Sequence, residues 1–401
     1  MMRIILHVLI LLGASQLVAN AAERTAVANG DWVDKATWGG QPSPGEGDTA
    51  VIKDGIVVTV SDDRAIGTSG PVGSLALNLG ASGAITIAKG GALRVRGDVV
   101  YTGGAANIAP CLVVQGGGTW RWDASKAADP AGTHYKLYPS VAPGFRPVDL
   151  RGTAEAHAVL DSDPAGGAGC FSLNGQNLGG PFAASHADIT RIGDAKIPGW
   201  DIVCNRQPTE HQVSWNVRNC SFTRCGMIKI GLHIETDGTF RHNRNRHQDS
   251  VGPCIFSAIP GWSPIGKGVR ELCENAFDIA GLEQSVADGY TICGNYFGGG
   301  LNILWQSDPW AKCEGNFYRI FDQWCWLSGK RIAGCFVFID GDWDNPHVMF
   351  GTSRYQTDVE GFILSHGGVS NADSGEWILT LPGCRRSIFL PNIYGFSSCG
   401  L

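Results

Sequence analysis

A motif that returns about every twenty residues constrains this chain more than any other feature of its sequence. It reads CENAF at 273–277, CGNYF at 293–297 and CEGNF at 313–317. Cysteines recur in steps of 19, 20, 20 and 22 residues, at Cys254, Cys273, Cys293, Cys313 and Cys335. The aromatic and amide residues that accompany them are Phe277, Phe297, Phe317 and Phe338, and Asn275, Asn295 and Asn316. A repeat of this length indicates a solenoid, in which similar units stack on one another.

Glycine-broken β segments favour a parallel β-helix over other solenoids. The Leu-x-x-Leu-x-Leu frame of leucine-rich repeats is absent, and helical repeats need longer units. Coils of a β-helix lie about 4.8 Å apart, so equivalent residues stack. We expect the cysteines and phenylalanines to fill the interior as ladders and the asparagine amides to stack from coil to coil. Cysteine packs as a small apolar group, and stacked Cβ vectors disfavour a disulfide, so we expect mostly buried thiols rather than a metal stripe.

Composition excludes several classes of protein. The chain of 401 residues contains 56 glycines without a strict triplet period, which argues against collagen and for many tight turns. A hydrophobic fraction of 43% argues against general disorder. The net charge of −6 argues against nucleic acid as a partner.

The first residues predict export. Residues 1–21, MMRIILHVLILLGASQLVANA, combine one arginine, an apolar run and a small-residue cleavage site. This pattern is typical of a signal peptide, with a retained anchor as the alternative. No second apolar run is long enough to span a membrane, so we expect a secreted or extracytoplasmic mature chain without a membrane span. Thirteen cysteines leave at least one unpaired within the chain.

Three regions follow the signal. Residues 22–125 are β-rich, with short strands separated by glycine turns, and Asp54-Gly55 between β-branched runs predicts a hairpin. Residues 126–150 are richer in proline and polar residues and predict a connection. Residues 151–401 carry the repeat. The chain ends without a polar capping segment, so we expect this last region to be incomplete at its C-terminus or covered by a partner.

The first region resembles the eight-glycine domain of secreted and cell-surface proteins. The similarity rests on the ATWGG stretch, the Gly47-Asp48 pair and the strands of GSLALNLGASGAITIAKGGALRVRGDV. In such proteins this module leads into a parallel β-helix. The second region resembles the right-handed parallel β-helix superfamily of pectate lyases and pectin-degrading hydrolases. Together these resemblances imply an all-β fold, a right-handed single-stranded parallel β-helix preceded by a small β-rich module, and polysaccharide as the class of ligand.

The segment RHNRNRHQD (241–249) is the candidate for polysaccharide elimination. A lyase must neutralise a uronate carboxylate and remove the neighbouring proton. If the segment is one strand, Arg244 and Arg246 share a face with His242 beside them. Guanidinium groups suit a carboxylate, and a histidine can act as the base. The candidate catalytic residues are Arg241, His242, Arg244, Arg246, His247 and Asp249. The alternative is a solvated turn with ordinary surface charge.

The segment IDGDWDNPH (339–347) is the candidate for hydrolysis. In an extended chain Asp340, Asp342 and Asp344 share one face about 6.6 to 6.8 Å apart, the lower edge of the separation that inverting glycosidases use. These residues are also typical of turns. Their oxygens can bind Ca²⁺, the one cofactor that the sequence leaves open. The calcium-binding aspartates of pectate lyases have no equivalent near residues 241–249, and the identity of any metal stays open.

Tryptophans in the later coils predict a sugar-binding groove. Aromatic faces offer large apolar contact to sugar rings, and neighbouring polar groups can bind the hydroxyls. The candidate residues are Trp305, Gln306, Asp308, Trp310, Lys312 and Trp343. The alternative is that the tryptophans face the core.

These patterns predict a secreted protein that binds an acidic polysaccharide and cleaves it, with β-elimination favoured over hydrolysis. The competing interpretation is a surface or matrix protein that only binds glycans or partners, because no catalytic signature is complete. The sequence leaves the oligomeric state open.

Overall fold

Short runs of β-branched and apolar residues between glycine turns form strands in this chain, as a computed structural model shows. The model describes residues 21–389 apart from the following ranges: 69–73, 103–108, 131, 141–145, 164–181, 195–198, 204–213, 234–238, 253, 260–269, 279, 282–290, 299–311, 321–324, 328–330, 340–347, 351–357, 361–362, 367–383 and 386–387. The described residues contain strands, turns and bends but no helix. The all-β expectation is therefore confirmed.

The first strands in chain order are β1 (Glu23–Ala26), β2 (Gly30–Asp31), β3 (Thr49–Ile52), β4 (Val57–Val60), β5 (Asp63–Ile66), β6 (Leu75–Leu79), β7 (Ala84–Ile87), β8 (Ala92–Val95), β9 (Asp98–Tyr101), β10 (Leu112–Gln115), β11 (Thr119–Trp122), β12 (Leu137–Pro139), β13 (Val148–Arg151), β14 (Ala158–Ser162), β15 (Phe182–Ser185), β16 (Ala187–Thr190), β17 (Trp200–Val203), β18 (Ser214–Arg218) and β19 (Ser221–Thr223).

The strands that follow are β20 (Ile228–His233), β21 (Thr239–Asn243), β22 (Arg246–Gln248), β23 (Cys254–Ile259), β24 (Arg270–Cys273), β25 (Ala276–Phe277), β26 (Ala280–Gly281), β27 (Thr291–Cys293), β28 (Tyr296–Phe297), β29 (Lys312–Glu314), β30 (Phe317–Ile320), β31 (Cys325–Leu327), β32 (Arg331–Ala333), β33 (Phe336–Ile339), β34 (Val348–Phe350), β35 (Asp358–Glu360), β36 (Ile363–His366), β37 (Cys384–Arg385) and β38 (Ile388–Phe389).

These strands stack into two long parallel sheets and a third side. Long sheet 1 has the order β2-β4-β7-β10-β13-β15-β18-β21-β24-β27-β29-β32-β35-β37, and long sheet 2 has the order β5-β8-β11-β14-β16-β19-β22-β25-β28-β30-β33-β36-β38. The third side consists of three shorter sheets, β1-β3-β6-β9-β12, β17-β20-β23-β26 and β31-β34. Each strand pairs with the equivalent strand of the next coil, which is the arrangement of a parallel β-solenoid.

The turn at Asp54-Gly55 is a corner of the solenoid, and the hairpin prediction is wrong. Strand β3 pairs in parallel with β1 and β6, whereas β4 pairs in parallel with β2 and β7. Gly55 has a φ of 75°, a left-handed conformation that glycine adopts at low cost. A hairpin turn and a solenoid corner need the same residue types, so the local signal does not distinguish them.

Strand pairing continues through the region expected to be a connection. Strand β13 pairs with β10 on one side and with β15 on the other. Residues 126–150 contain β12 and the start of β13. The division of the chain at residues 22–125 and 151–401 stays a prediction, while the two long sheets extend across it.

Buried asparagines form a ladder at the corner between the two long sheets. The backbone N–H of Asn245 donates to Oδ1 of Asn275, that of Asn275 to Oδ1 of Asn295, and that of Asn295 to Oδ1 of Asn316. The side-chain amides of Asn275 and Asn295 donate to the next amide oxygen along the ladder at 2.9 Å. Cys220 and Cys335 hold the equivalent positions at its two ends. The expectation that asparagine amides stack from coil to coil is confirmed.

The cysteines do not form one column, and this expectation is wrong. Cys273 lies opposite Cys293, and the two form a disulfide with a Cα–Cα distance of 4.6 Å. Cys313 lies opposite Ile292, one residue out of that register. Cys335 is at the asparagine corner and Cys254 is in β23 on the third side. The recurring position is therefore the asparagine, and cysteines occupy several positions around it.

The expected buried thiols and phenylalanine ladder are each confirmed in part. The described free thiols, at Cys111, Cys220, Cys225, Cys254 and Cys335, are all buried.

The ladder itself is shorter than expected. Phe277 and Phe297 stack inside the solenoid with ring centroids 5.3 Å apart. Phe317 lies opposite Tyr296 on the outer face instead, because 21 residues separate Asn295 from Asn316 but only 20 separate Phe297 from Phe317.

Candidate functional site

The segment RHNRNRHQD folds around a corner and is not one strand. Residues 241–243 end β21 on long sheet 1, Arg244 and Asn245 form the corner, and residues 246–248 form β22 on long sheet 2. Arg244 has a φ of 58°, the left-handed conformation that turns the chain. Because of this corner, the alternation of inward and outward side chains does not continue from β21 into β22. The expectation that His242 lies beside Arg244 and Arg246 on one face is therefore wrong.

Both histidines of the segment point into the core. His242 is fully buried and His247 is 4% exposed. Their Nε2 atoms are 3.0 Å apart. Burial, together with the nearby His247, lowers the pKa of His242 well below its ordinary value, and burial lowers the pKa of His247 to about 3. Neither ring faces the outer surface, where a polysaccharide would bind. The two histidines therefore lack the access to substrate that a catalytic base requires.

A directed chain of hydrogen bonds fixes the protonation of these rings. Trp215 Nε1 lies 3.3 Å from His242 Nδ1 and can only donate. His242 therefore carries its proton on Nε2 and donates to Nε2 of His247. His247 then carries its proton on Nδ1, which lies 3.3 Å from the Cys254 sulfur. Because Cys254 and His242 contact opposite nitrogens of His247, they do not converge on one point as metal ligands must.

The arginines of the segment lie on the outside, in different electrostatic surroundings. Arg241 contacts Glu271 at 3.2 Å, and Arg244 contacts Glu274 at 2.6 Å. Arg246 is exposed and makes no ion pair with any residue that the structure describes. The first two arginines border a cleft of about 300 Å³ on the long-sheet-1 side of the corner. Its lining is Arg218, Asn219, Arg241, Asn243, Arg244, Glu271, Cys273 and Glu274.

A second, more open cleft of about 470 Å³ lies on long sheet 2 and combines one guanidinium, two carboxylates, amide and hydroxyl groups and an aromatic ring. It is lined by Arg246, His247, Gln248, Asp249, Ser250, Ala276, Phe277, Asp278 and Tyr296. Tyr296 is 40% exposed and stacks on Phe317 with ring centroids 5.3 Å apart. The two rings form an aromatic surface beside the cleft.

One outward-facing column joins these groups. Register along long sheet 2 runs from Asp188 to Ser221, Arg246, Ala276, Tyr296 and Phe317 in consecutive coils. Neighbouring members are about 4.8 Å apart, the spacing of strands in a sheet. We call these six residues the outer column. It presents carboxylate and hydroxyl, then guanidinium, then aromatic groups along the solenoid axis.

A histidine–aspartate pair adjoins one end of the outer column. His157 Nδ1 lies 3.0 Å from Asp188 Oδ1, and the Ser221 hydroxyl donates to the same oxygen at 2.8 Å. The rings of His157 and His186 are 6.2 Å apart. The sequence marks none of these residues, because His157 and Asp188 are separated by 31 residues and no local pattern joins them.

The other candidates from the sequence fall largely outside the described residues. Lys312 begins β29 opposite Thr291 and Arg331. The candidates outside the described ranges are Asp340, Asp342, Asp344, Trp305, Gln306, Asp308, Trp310 and Trp343, and also the proposed signal peptide up to residue 20.

Neither a metal-ligand cluster among the described residues nor a related protein points to a function. In the part of the chain that the structure describes, His, Cys, Asp and Glu side chains form no group of three or more that could hold a metal ion. None of the described segments is a helix with the length and apolar character of a membrane span. No family model, curated protein or solved structure matches the chain.

Proposed function

We propose that this protein binds an acidic polysaccharide along the outer column. The observation that carries the proposal is the position of Arg246. This guanidinium forms no ion pair with a described residue and stands two coils from Tyr296, and both side chains line the same open cleft. A guanidinium suits a uronate carboxylate, and an aromatic face suits a sugar ring. A linear polymer lying along the solenoid axis meets both groups at once.

The finer architecture is part of the same proposal. We propose a right-handed solenoid of the pectate-lyase-like kind with an eight-glycine-like N-terminal module. Its support is the parallel pairing of successive coils, because crossovers between parallel strands are right-handed in about 98% of cases. We also propose that the protein is exported. The Cys273–Cys293 disulfide supports this, since such bonds persist mainly in oxidising compartments.

Cleavage by β-elimination belongs to the proposal, but with a base other than His242 or His247. Because those two rings are buried, we propose that an exposed imidazole is the base instead. The competing function is binding without cleavage. The outer column is complete as a binding surface, and this favours binding alone as much as binding with cleavage. Hydrolysis by Asp340, Asp342 and Asp344 rests on residues outside the described ranges.

Binding measurements with matched variants test the proposal. The probes are polygalacturonate, alginate and hyaluronan, with neutral dextran for comparison. The wild type should bind at least one acidic polymer, more weakly as salt rises, and dextran weakly or not at all. Arg246→Ala should lose about tenfold or more in affinity, the value of a charge-assisted hydrogen bond. Tyr296→Ala should weaken binding and Tyr296→Phe should keep it.

Arg94→Ala is the matched control, because Arg94 is an exposed arginine near the other end of long sheet 2. Its affinity should equal that of the wild type. A wild type that binds no acidic polymer, or an Arg246→Ala variant with unchanged affinity, contradicts the proposal.

A further inference from the structure

Two surface imidazoles beside the outer column are each held by one nitrogen. His157 contacts the Asp188 carboxylate through Nδ1, and Asp188 is itself held by the Ser221 hydroxyl. A carboxylate accepts hydrogen bonds only, so His157 carries its proton on Nδ1 when neutral. Its Nε2 then offers a lone pair. The side chain is 39% exposed, which leaves this nitrogen open to a polymer on the surface.

The second imidazole is also held through Nδ1, but by a hydroxyl instead of a carboxylate. His186 Nδ1 lies 3.0 Å from the Ser185 hydroxyl. A hydroxyl can accept from that nitrogen as well as donate to it, so it accommodates the imidazolium form, whose Nε2–H is a donor. His186 occupies a corner between the two long sheets with a φ of 49°, and it is partly exposed. The ring centroids of the two histidines are 6.2 Å apart, so both rings can reach one sugar unit.

The pair lies on the path of the polymer that the outer column would bind. Asp188 and Ser221 belong to that column, and Arg246 follows Ser221 in the next coil. A chain whose carboxylate contacts Arg246 therefore extends toward His157. The side chains of His157 and Asp188 are 39% and 46% exposed, whereas His242 and His247 are buried.

We propose that His157 and His186 are a proton-transfer pair for β-elimination on a uronate polymer, and this rests on the proposed function. Nε2 of His157 takes the proton from C5 of the uronate. The electrons of the C5–H bond form a C4=C5 double bond while the C4–O4 bond breaks. The leaving O4 takes a proton from Nε2 of His186 in its imidazolium form, and this ring becomes neutral while His157 becomes the imidazolium. Exchange with solvent returns both rings to their starting state. Asp188 is a positioning residue that holds His157.

The test measures the ultraviolet absorbance of the unsaturated uronate together with polymer affinity. His157→Gln should lower kcat by about a hundredfold or more, the usual contribution of general acid–base catalysis, with affinity unchanged. His186→Gln should act in the same way. Asp188→Asn should lower kcat with little change in KM, by less than His157→Gln. Free imidazole should restore part of the rate to His157→Ala, which a merely structural role would not allow.

His134→Gln is the matched control, since it removes another histidine–carboxylate contact, to Asp194 at 3.3 Å, that involves no residue of the outer column. It should keep the wild-type rate, and thermal melting checks that every variant is folded. A wild type that binds polymer without forming unsaturated product overturns this inference and leaves the binding proposal standing. A His157→Gln variant with wild-type kcat also overturns it. Loss of binding in the wild type is instead the failure of the proposed function.

Discussion

His242 and His247 stand where neighbouring coils carry apolar side chains. His242 lies between Val217 and Leu272 in long sheet 1. His247 lies opposite Phe222 and stacks on Phe277 at 4.7 Å. Their hydrogen bonds satisfy the ring nitrogens only in the neutral forms. A proton added to either ring places a charge in the core, and burial makes this costly although Asp278 attracts a proton toward His247.

The buried histidine pair predicts a stability that falls in acid. In the folded protein burial holds both pKa values below the unfolded value of about 6.5, so the unfolded chain binds more protons below that pH. The stabilisation is complete above about pH 6.5 and is lost as pH falls toward about 3. Each histidine contributes a slope of up to about 1.4 kcal/mol per pH unit. Urea denaturation at pH 7 and pH 5 measures it.

The double variant His242→Leu with His247→Phe is the comparison, because it installs the residues of the adjacent coil. Its free energy of unfolding should change less between pH 7 and pH 5 than that of the wild type. Equal changes in the two proteins would contradict this account of the pair.

The sequence could not place the residues of RHNRNRHQD, because nothing in it marks the corner. Gly294 and Gly315 hold the corner in later coils and signal a turn, whereas Arg244 holds it here. Arginine rarely adopts a positive φ. Alternation read through Arg244 therefore assigns the wrong faces to everything beyond it.

At the scale of the repeated element, the asparagine corner sets the register of the coils. Aligned on asparagine, the repeats place Leu272, Ile292 and Cys313 at one register position. Aligned on cysteine, the last of these repeats shifts by one residue. The period of about twenty residues was enough to predict a solenoid. The period alone could not tell which residue of the motif keeps its position from coil to coil. That residue is the asparagine, because its buried amide has hydrogen-bond partners in both neighbouring coils.

Removal of one rung of the ladder should destabilise the protein. Asn295→Ala deletes the acceptor of the Asn275 backbone N–H and the donor to the Leu272 carbonyl, both of which are buried. Each buried group left without a partner costs about 1–3 kcal/mol, so for these two groups we expect a loss of roughly 2–6 kcal/mol. Chemical denaturation measures it.

Asn216→Ala serves as the control for the ladder, because Asn216 is an asparagine of long sheet 1 whose amide oxygen bonds to no described residue. We expect no loss of stability beyond about 0.5 kcal/mol. If Asn295→Ala were as stable as this control, the asparagine ladder would not be what stabilises the corner.

At the scale of the whole molecule, stacking turns distant residues into one surface. The outer column takes single residues from coils 20 to 33 positions apart in the sequence. The sequence lists each of these residues but does not show that they form a column. Which residues become neighbours in the sheet depends on the length of every coil between them. This is why the arginines could be singled out as a dense cluster, while His157 and Asp188 could not.

Covalent capture of two adjacent coils tests this stacking most directly. Ala183 of β15 lies opposite Asn216 of β18, and Arg218 lies two residues further along the same face. Ala183→Cys with Asn216→Cys should form a disulfide on mild oxidation, as Cys273 and Cys293 do in the same sheet. Ala183→Cys with Arg218→Cys should not, because diagonal neighbours are about 7–8 Å apart, beyond the reach of the bond. Peptide mapping without reduction that finds the second bond and not the first would contradict the solenoid register.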